Sequence, residues 1–272
     1  MPEGHVIHRL ARDFNDRFSG DPVQVSSPQG RFSAEARHLS GHQLLRAEAR
    51  GKHLFLFFDE KIGPENIVYI HLGLIGSLRF EPIEDVWGQI RLRIIDAAET
   101  QAANLRGPQF CRLIDAAEFR SITARLGEDP LLLDAPPIQL FEKLTRSRRR
   151  VAALLMDQKL FAGVGNVYRA EVLFRQGIDP QTPGNQLSQE QFRAIWEDLV
   201  YLMHIGVERG RIDTVRDEHL DQALQVERHG QQHGGDVYVY RRAGEACFVC
   251  GEQVRTTVLE ARNLFWCPAC QG

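Results

Sequence analysis

Lysine is scarce in this chain of 272 residues: only Lys52, Lys61, Lys143 and Lys159 occur. Arginine supplies the rest of 33 basic residues against 36 acidic ones, for a formal net charge of −3. A chain so balanced lacks bulk positive charge, so any nucleic-acid surface must come from where arginines sit rather than from their sum. Long apolar runs are missing too. Aliphatic and aromatic blocks such as Leu54–Phe58 are far short of the ~20 residues a membrane span requires. The N-terminus is charged by residue 3 and carries no signal-peptide pattern. Repeats and low-complexity tracts are absent. These absences lead to the expectation of a soluble cytoplasmic chain with room for two domains.

Cysteine is confined to five positions, and four of them form an array. Cys247, Cys250, Cys267 and Cys270 read as C-x2-C, a sixteen-residue spacer, and C-x2-C. That spacing suits a four-cysteine zinc site, each pair in a tight turn and the spacer forming a β-hairpin. Arg255–Val258 and Asn263–Trp266 read as its strands, with Glu260–Arg262 near the tip. Two disulfides are the alternative, disfavoured in a reducing cytosol. Zinc typically contributes on the order of 10 kcal/mol to folding such a module. The zinc would be structural, because four cysteines leave no open coordination position. Cys111 lies in a strand-like stretch and reads as a small buried residue.

The opening residues carry a different chemistry. Removal of the initiator methionine would make Pro2 the N-terminus, with Glu3 beside it. A secondary amine condensed with an aldehyde carbon gives an iminium ion that cannot shed its charge by losing an N–H proton. That cation is an electron sink, and Glu3 adds an acid/base group. A plainer reading fits the same residues. Ile7, Leu10, Phe14 and Phe18 recur at helical spacing, so residues 3–18 read as an amphipathic helix with proline at its first position. The two readings are compatible, since a helix N-terminus lowers an amine's proton affinity.

Further along, His53–Phe58, Ile67–His71, Ser77–Phe80 and Ile90–Ile95 read as short strands separated by Gly/Pro turns. The N-terminal helix plus these strands gives a β-sandwich or flattened barrel. Asp134–Pro137 reads as an interdomain hinge, and helical patterns follow. Leu187–Phe192 combines a capping box with a hydrophobic staple, opening a helix that buries Phe192, Ile195, Leu199 and Leu202. Between helices, Phe161-Ala-Gly-Val-Gly-Asn166 offers a turn with backbone N–H groups for a phosphate and Asn166 as N-cap, or simply a turn. Arg146, Arg148, Arg149 and Arg150 cluster, as solvated faces often do. The stretch 211–236 reads equally as a loop over a ligand or as a linker.

An N-terminal Pro-Glu-Gly, the Phe-Ala-Gly-Val-Gly-Asn turn and a C-terminal four-cysteine finger, in that order, resemble the formamidopyrimidine-DNA glycosylase/endonuclease VIII family. The resemblance spans essentially the whole chain. Asn263–Pro268, with Leu264 where the formamidopyrimidine branch usually has Thr or Ser, looks more like the endonuclease VIII branch, and the Pro-Glu-Gly-His opening looks actinobacterial. The resemblance implies an α+β chain in three parts: an N-terminal catalytic β-sandwich domain (1–130), a helix–two-turn–helix domain (131–240) and a zinc finger (241–272).

It also implies roles by position. Pro2 matches the Schiff-base nucleophile and Glu3 the general acid/base. Lys52 matches a lysine associated with β-elimination, and Arg262 the finger arginine that binds phosphate and serves δ-elimination. Asn166 and Arg125 match contacts to the DNA backbone. Leu74, in His71–Gly76, fits the wedge that fills the space left by a flipped nucleotide. Gly73 departs from the larger side chain that relatives place beside the wedge. His71 reads as a structural histidine or a DNA contact. The implied partner is double-stranded DNA with damaged bases or abasic sites, with single-stranded or bubble DNA also open, bound by a monomer with no membrane role. The implied activity is a glycosylase/lyase for oxidised pyrimidines. The same chemistry on oxidised purines, or a non-catalytic zinc-ribbon DNA-binding protein, are the alternatives.

Overall fold

The first helix, α1 (Gly4–Arg17), buries Ile7, Leu10, Ala11 and Phe14, the stripe its spacing predicts. Phe14 packs against Phe18 and Phe80, ring centroids 5.4 and 5.1 Å away. The structure, a computed structural model, describes residues 2–224 and 236–272. Among these, no helix is long and apolar enough to cross a membrane. The chain divides into two compact units, Met1–Arg125 and Leu126–Gly272.

In the first unit the strands are β1 (Gln24–Ser26), β2 (Leu44–Arg50), β3 (His53–Phe58), β4 (Glu65–His71), β5 (Ser77–Pro82), β6 (Ile90–Ile95), β7 (Gln101–Arg106) and β8 (Phe110–Asp115). They form two antiparallel sheets, ordered β1-β6-β7-β5 and β2-β3-β4-β8. Leu54, Leu56 and Phe58 from one sheet share a core with Leu92, Ile94 and Leu105 from the other. This is the expected sandwich. α1 also protects the free edge of β2: the Asn15 amide donates to the Ala47 carbonyl (3.0 Å) and accepts from the Ala47 N–H (2.7 Å), as a neighbouring strand would.

Two short helices lie outside the sequence expectation, α2 (Ser33–Leu39) and α3 (Ala116–Thr123). The second explains why β3 is apolar throughout rather than alternating. Phe55 and Phe57 point away from the sandwich core, and Phe119 of α3 meets both edge-on at 4.8 and 5.2 Å. A strand covered on both faces reads as a continuous hydrophobic run.

The second unit contains α4 (Ile138–Thr145), α5 (Val151–Leu154), α6 (Asn166–Arg175), α7 (Gln189–Arg209) and α8 (Leu220–Leu224), then the hairpin β9 (Arg255–Leu259) and β10 (Arg262–Trp266). The chain joins this unit early. Gly127 and Glu128 donate to the carbonyls of Gln158 and Leu160 at 2.9 and 3.0 Å. A Cβ on Gly127 would lie 2.3 Å from the Leu160 carbonyl oxygen, so this close approach requires glycine. Asp134–Pro137 therefore lies inside the second unit. At α7 the capping box forms as read: Ser188 Oγ accepts from Gln191 N and Gln191 Oε1 from Ser188 N.

Helix α6 is buried from Asn166 to Phe174, charged residues included. Glu171, fully buried, accepts from the backbone N–H groups of Tyr238, Val239 and Tyr240 at 2.7, 2.9 and 2.8 Å, and from the Thr214 hydroxyl. Residues 225–235 of the 211–236 stretch lie outside the described residues; Thr214, near its start, and Tyr238–Tyr240, just past its end, converge on this carboxylate. Replacing Glu171 with Ala should destabilise the protein by roughly 3 kcal/mol or more, since it strands several buried donors together. Urea unfolding would measure this.

Candidate active site and nucleic-acid interface

Glu3 is the N-cap of α1, one residue before the helix proper. Its backbone is extended (φ −117°, ψ −179°) and its side chain makes no capping bond. It is fully buried and Pro2 is half-buried. Glu3 thus follows Pro2 directly in the chain, with its side chain buried and no side-chain bond capping the helix. His5 follows in the first turn. Burial, with the N-terminus, His8 and Arg9 adding like charge, lowers its pKa to about 3, so the imidazole is neutral.

Lys52 sits in the two-residue turn joining β2 and β3, where Arg50 pairs with His53 and Gly51 takes a positive φ of 56°. Next to it His53 and His71 lie with rings 4.9 Å apart. His53 Nδ1 is 2.9 Å from the Tyr69 hydroxyl. Burial is the main cause of a His53 pKa lowered to about 4, with His71 and Lys52 adding to it. Burial also lowers His71.

The loop between β4 and β5 presents Leu74 and Ile75 to solvent, 61% and 88% exposed. Adjacent in the chain, they form a small exposed apolar surface. The loop is nonetheless ordered by its own backbone: Gly73 N donates to His71 Nδ1 (3.2 Å) and Gly76 N to Leu72 O (3.1 Å). A Cβ at Gly73 would come within 2.9 Å of the Gln109 Cβ, so Gln109 occupies the place that Gly73 leaves. Gln109 is pinned by its N–H to the His71 carbonyl at 2.9 Å. Phe110 pairs across from His71 and is exposed, while Cys111 turns into the core. Burial pushes the Cys111 thiol up to about 12, in keeping with a packing role. Sequence reasoning named Leu74 as the wedge candidate; Ile75 and Phe110, also exposed, and Gln109 were not among its candidates. The alternation Phe110-out, Cys111-in was the available signal. Arg125, after α3, is exposed and donates to Ser121 Oγ at 3.1 Å.

In the second unit, the glycine turn is clamped from within. Gln158 Nε2 donates to the Met156 and Val164 carbonyls (3.0 and 2.9 Å), and its Oε1 accepts from Gly163 N (3.1 Å). Two expectations change here. The Gly163 N–H is engaged by Gln158, and the N-cap of α6 is Gly165, with Asn166 the first helical residue. Asn166 is buried, and its Nδ2 donates instead to the Asn263 carbonyl (3.0 Å), as does Arg169 Nη2 (3.0 Å). The turn is therefore tied directly to hairpin strand β10. Arg262 is the first residue of that strand, opposite Leu259, and is half-buried. The hairpin tip is Glu260–Ala261, both with positive φ (46° and 60°).

The four hairpin cysteines converge, with all Sγ atoms within 4.8 Å of one another. Cys250–Cys267 and Cys247–Cys270 are separated by 3.4 and 3.9 Å, well beyond a disulfide bond of ~2.05 Å. A tetrahedral ion with ~2.3 Å metal–sulfur bonds sets sulfurs about 3.8 Å apart, so the donor set fits a metal. The finger is anchored to the helical core: Gln271, buried, accepts from Cys267 N (2.9 Å) and donates to the Ile178 carbonyl (3.0 Å).

Residues 1–111 match the formamidopyrimidine-DNA glycosylase N-terminal domain, and residues 126–217 match the formamidopyrimidine-DNA glycosylase H2TH domain. The chain belongs to the formamidopyrimidine-DNA glycosylase family. Within that family of DNA-repair enzymes it is 50% identical to Endonuclease 8 1 of Mycobacterium tuberculosis, covering 100% of both chains. It is 37% identical to the formamidopyrimidine-DNA glycosylase of Parasynechococcus marenigrum, covering 100% of this chain and 99% of the relative. Its fold matches Lactococcus lactis formamidopyrimidine-DNA glycosylase bound to DNA containing an abasic site, with a TM-score of 0.77, 20% identity and 99% of each chain covered.

The His53 environment makes a pH prediction. Its folded pKa of about 4 lies below the unfolded value near 6.5. Between these values the unfolded chain binds the extra proton, so stability falls as pH drops from 6.5 towards 4. His53→Gln should flatten that part of the stability–pH curve. Urea unfolding at pH 7, 6 and 5 would show it, and equal slopes in both proteins would contradict the assignment.

Proposed function

We propose that this chain is a bifunctional DNA glycosylase and abasic-site lyase that removes oxidised bases, pyrimidines in preference, through a Schiff base on Pro2. The observation that carries the reading is the N-terminal pair: a half-buried Pro2 beside a fully buried Glu3 whose carboxylate does not cap the helix that follows. The 50% identity to a mycobacterial Endonuclease 8 1 supports the endonuclease VIII branch of the family.

Once Met1 is removed, the Pro2 nitrogen attacks C1′ of the damaged nucleotide as the glycosidic bond breaks and the base departs. Glu3 delivers a proton to the ring oxygen, the sugar opens, and C1′ becomes part of an iminium cation. The cation acidifies C2′–H. Loss of that proton expels the 3′ phosphate in the first elimination, and loss of a further proton from C4′ expels the 5′ phosphate in the second. Water then hydrolyses the iminium and regenerates the free Pro2 amine. Lys52 carries its charge in a rigid turn beside two histidines with lowered pKa, suited to holding a departing phosphate. Arg262 presents a planar fork to a flanking phosphate, and Asn166 supports the strand from which it projects. Leu74, with Ile75 and Phe110, supplies apolar surface to replace a nucleotide drawn out of the stack. Arg125 adds a backbone contact. Zinc on Cys247, Cys250, Cys267 and Cys270 would be structural, holding the hairpin that carries Arg262.

Borohydride reduces an iminium to a stable link, so trapping tests the reading directly. Oligonucleotides carrying an abasic site or an oxidised pyrimidine should trap, undamaged DNA should not, and stronger trapping on 8-oxoguanine would redirect the specificity to purines. Pro2→Gly should keep DNA binding and lose lyase activity by about 100-fold or more, the scale of a lost covalent-catalysis group; unchanged strand cutting would remove Pro2 from the mechanism. Cys267→Ser should lower both bound zinc and DNA affinity. A variant with one zinc per chain by mass spectrometry and normal binding would refute the finger's role.

A further inference from the structure

Resting on that reading of Arg262, we propose that Glu260 and Arg149 form an ionic latch that positions Arg262 for its phosphate. The basic cluster at 146–150 is divided in use. Among the described residues, Arg149 alone of the cluster meets carboxylates: Nη1 meets Asp157 Oδ2 at 2.8 Å, and Nη2 meets both Glu260 carboxylate oxygens at 3.2 Å. Its backbone is fixed as well, with its carbonyl accepting from Gly184 N at 2.9 Å. Arg149 therefore reaches from the helical scaffold to the hairpin tip.

Glu260 is an unexpected residue there. A carboxylate two positions from a phosphate-binding arginine repels the ligand unless a cation neutralises it, and it adopts a positive φ of 46° that glycine or asparagine would take more readily. The pair with Arg149 accounts for the charge, while the positive φ, which Ala261 shares, belongs to the two-residue hairpin turn. Two residues beyond Ala261, the Asn263 carbonyl is held by Asn166 and Arg169. Arg262 thus lies between two tethers to the same scaffold, one ionic at 260 and one hydrogen-bonded at 263. The second tether is partly buried. The first is open to solvent, with side chains 44% and 54% exposed, so it is weak singly and sensitive to salt.

The latch and simple electrostatics predict opposite results. If Glu260 only repels DNA, Glu260→Gln should tighten binding and Arg149→Gln should weaken it. If the pair positions Arg262, both variants should weaken binding to a duplex carrying a non-cleavable abasic analogue, each by about twofold to fivefold at low salt, the range for an exposed ion pair. Neither should weaken it further in an Arg262→Ala background. Zinc content and thermal stability, measured on the same full-length proteins, should match wild type within error. Tighter binding by Glu260→Gln, or equal losses with and without Arg262, would overturn the latch. An Arg262→Ala protein that binds as wild type would overturn the reading of Arg262 itself, so the two failures are distinct.

Discussion

A buried carboxylate organises the second unit. Glu171 sits at no exposure in the middle of α6 and collects three consecutive backbone N–H groups, Tyr238 to Tyr240, together with the Thr214 hydroxyl. Removing a carboxylate from water costs several kcal/mol, which only a full set of donors offsets. That requirement clamps the chain entering the finger onto the helix whose N-terminus carries the glycine turn. Asn166 and Arg169, five and two residues earlier on the same helix, then reach the finger's strand β10 at Asn263. Turn, helix and finger are thus held as one scaffold by polar groups that cannot be satisfied separately.

The first unit meets a different constraint. β3 is buried on both faces, by the sandwich core on one side and by Phe119 of α3 on the other. Its rigidity is passed to both ends of the adjoining hairpins. Lys52 stands at one such end. His71, at the end of β4, holds Gly73 through its ring and Gln109 through its carbonyl. Leu74 and Ile75 can therefore remain exposed on a loop that is nonetheless well defined. Family membership follows from sequence and fold together: two domain families match in order, and relatives of 50% and 37% identity span the whole chain.

Local chemistry was legible without the fold. The Ser188–Gln191 capping box, the α1 stripe, the β3 run and the C-x2-C pairs each depend on neighbours a few residues away, and each formed as read. The misreadings have a common cause. Asn166 has the residue type of an N-cap, but its amide is drawn to Asn263, 97 residues further on. Gly163 looked like a phosphate donor, but Gln158 takes its N–H. α3 has too weak an apolar pattern to announce itself, because it exists to cover Phe55 and Phe57.

The sequence by itself determined the chemical inventory: a proline and a glutamate at the N-terminus, a four-sulfur donor set, a Leu-Ile pair between turn glycines and arginines instead of lysines. Those are properties of residue type and short spacing, which covalent connectivity alone enforces. Tertiary structure alone decided which polar groups are already engaged. It assigned Gln109 to the place beside Gly73, Asn166 to the hairpin and Arg149 to Glu260, since hydrogen bonds and ion pairs between distant residues depend on distances that only packing sets.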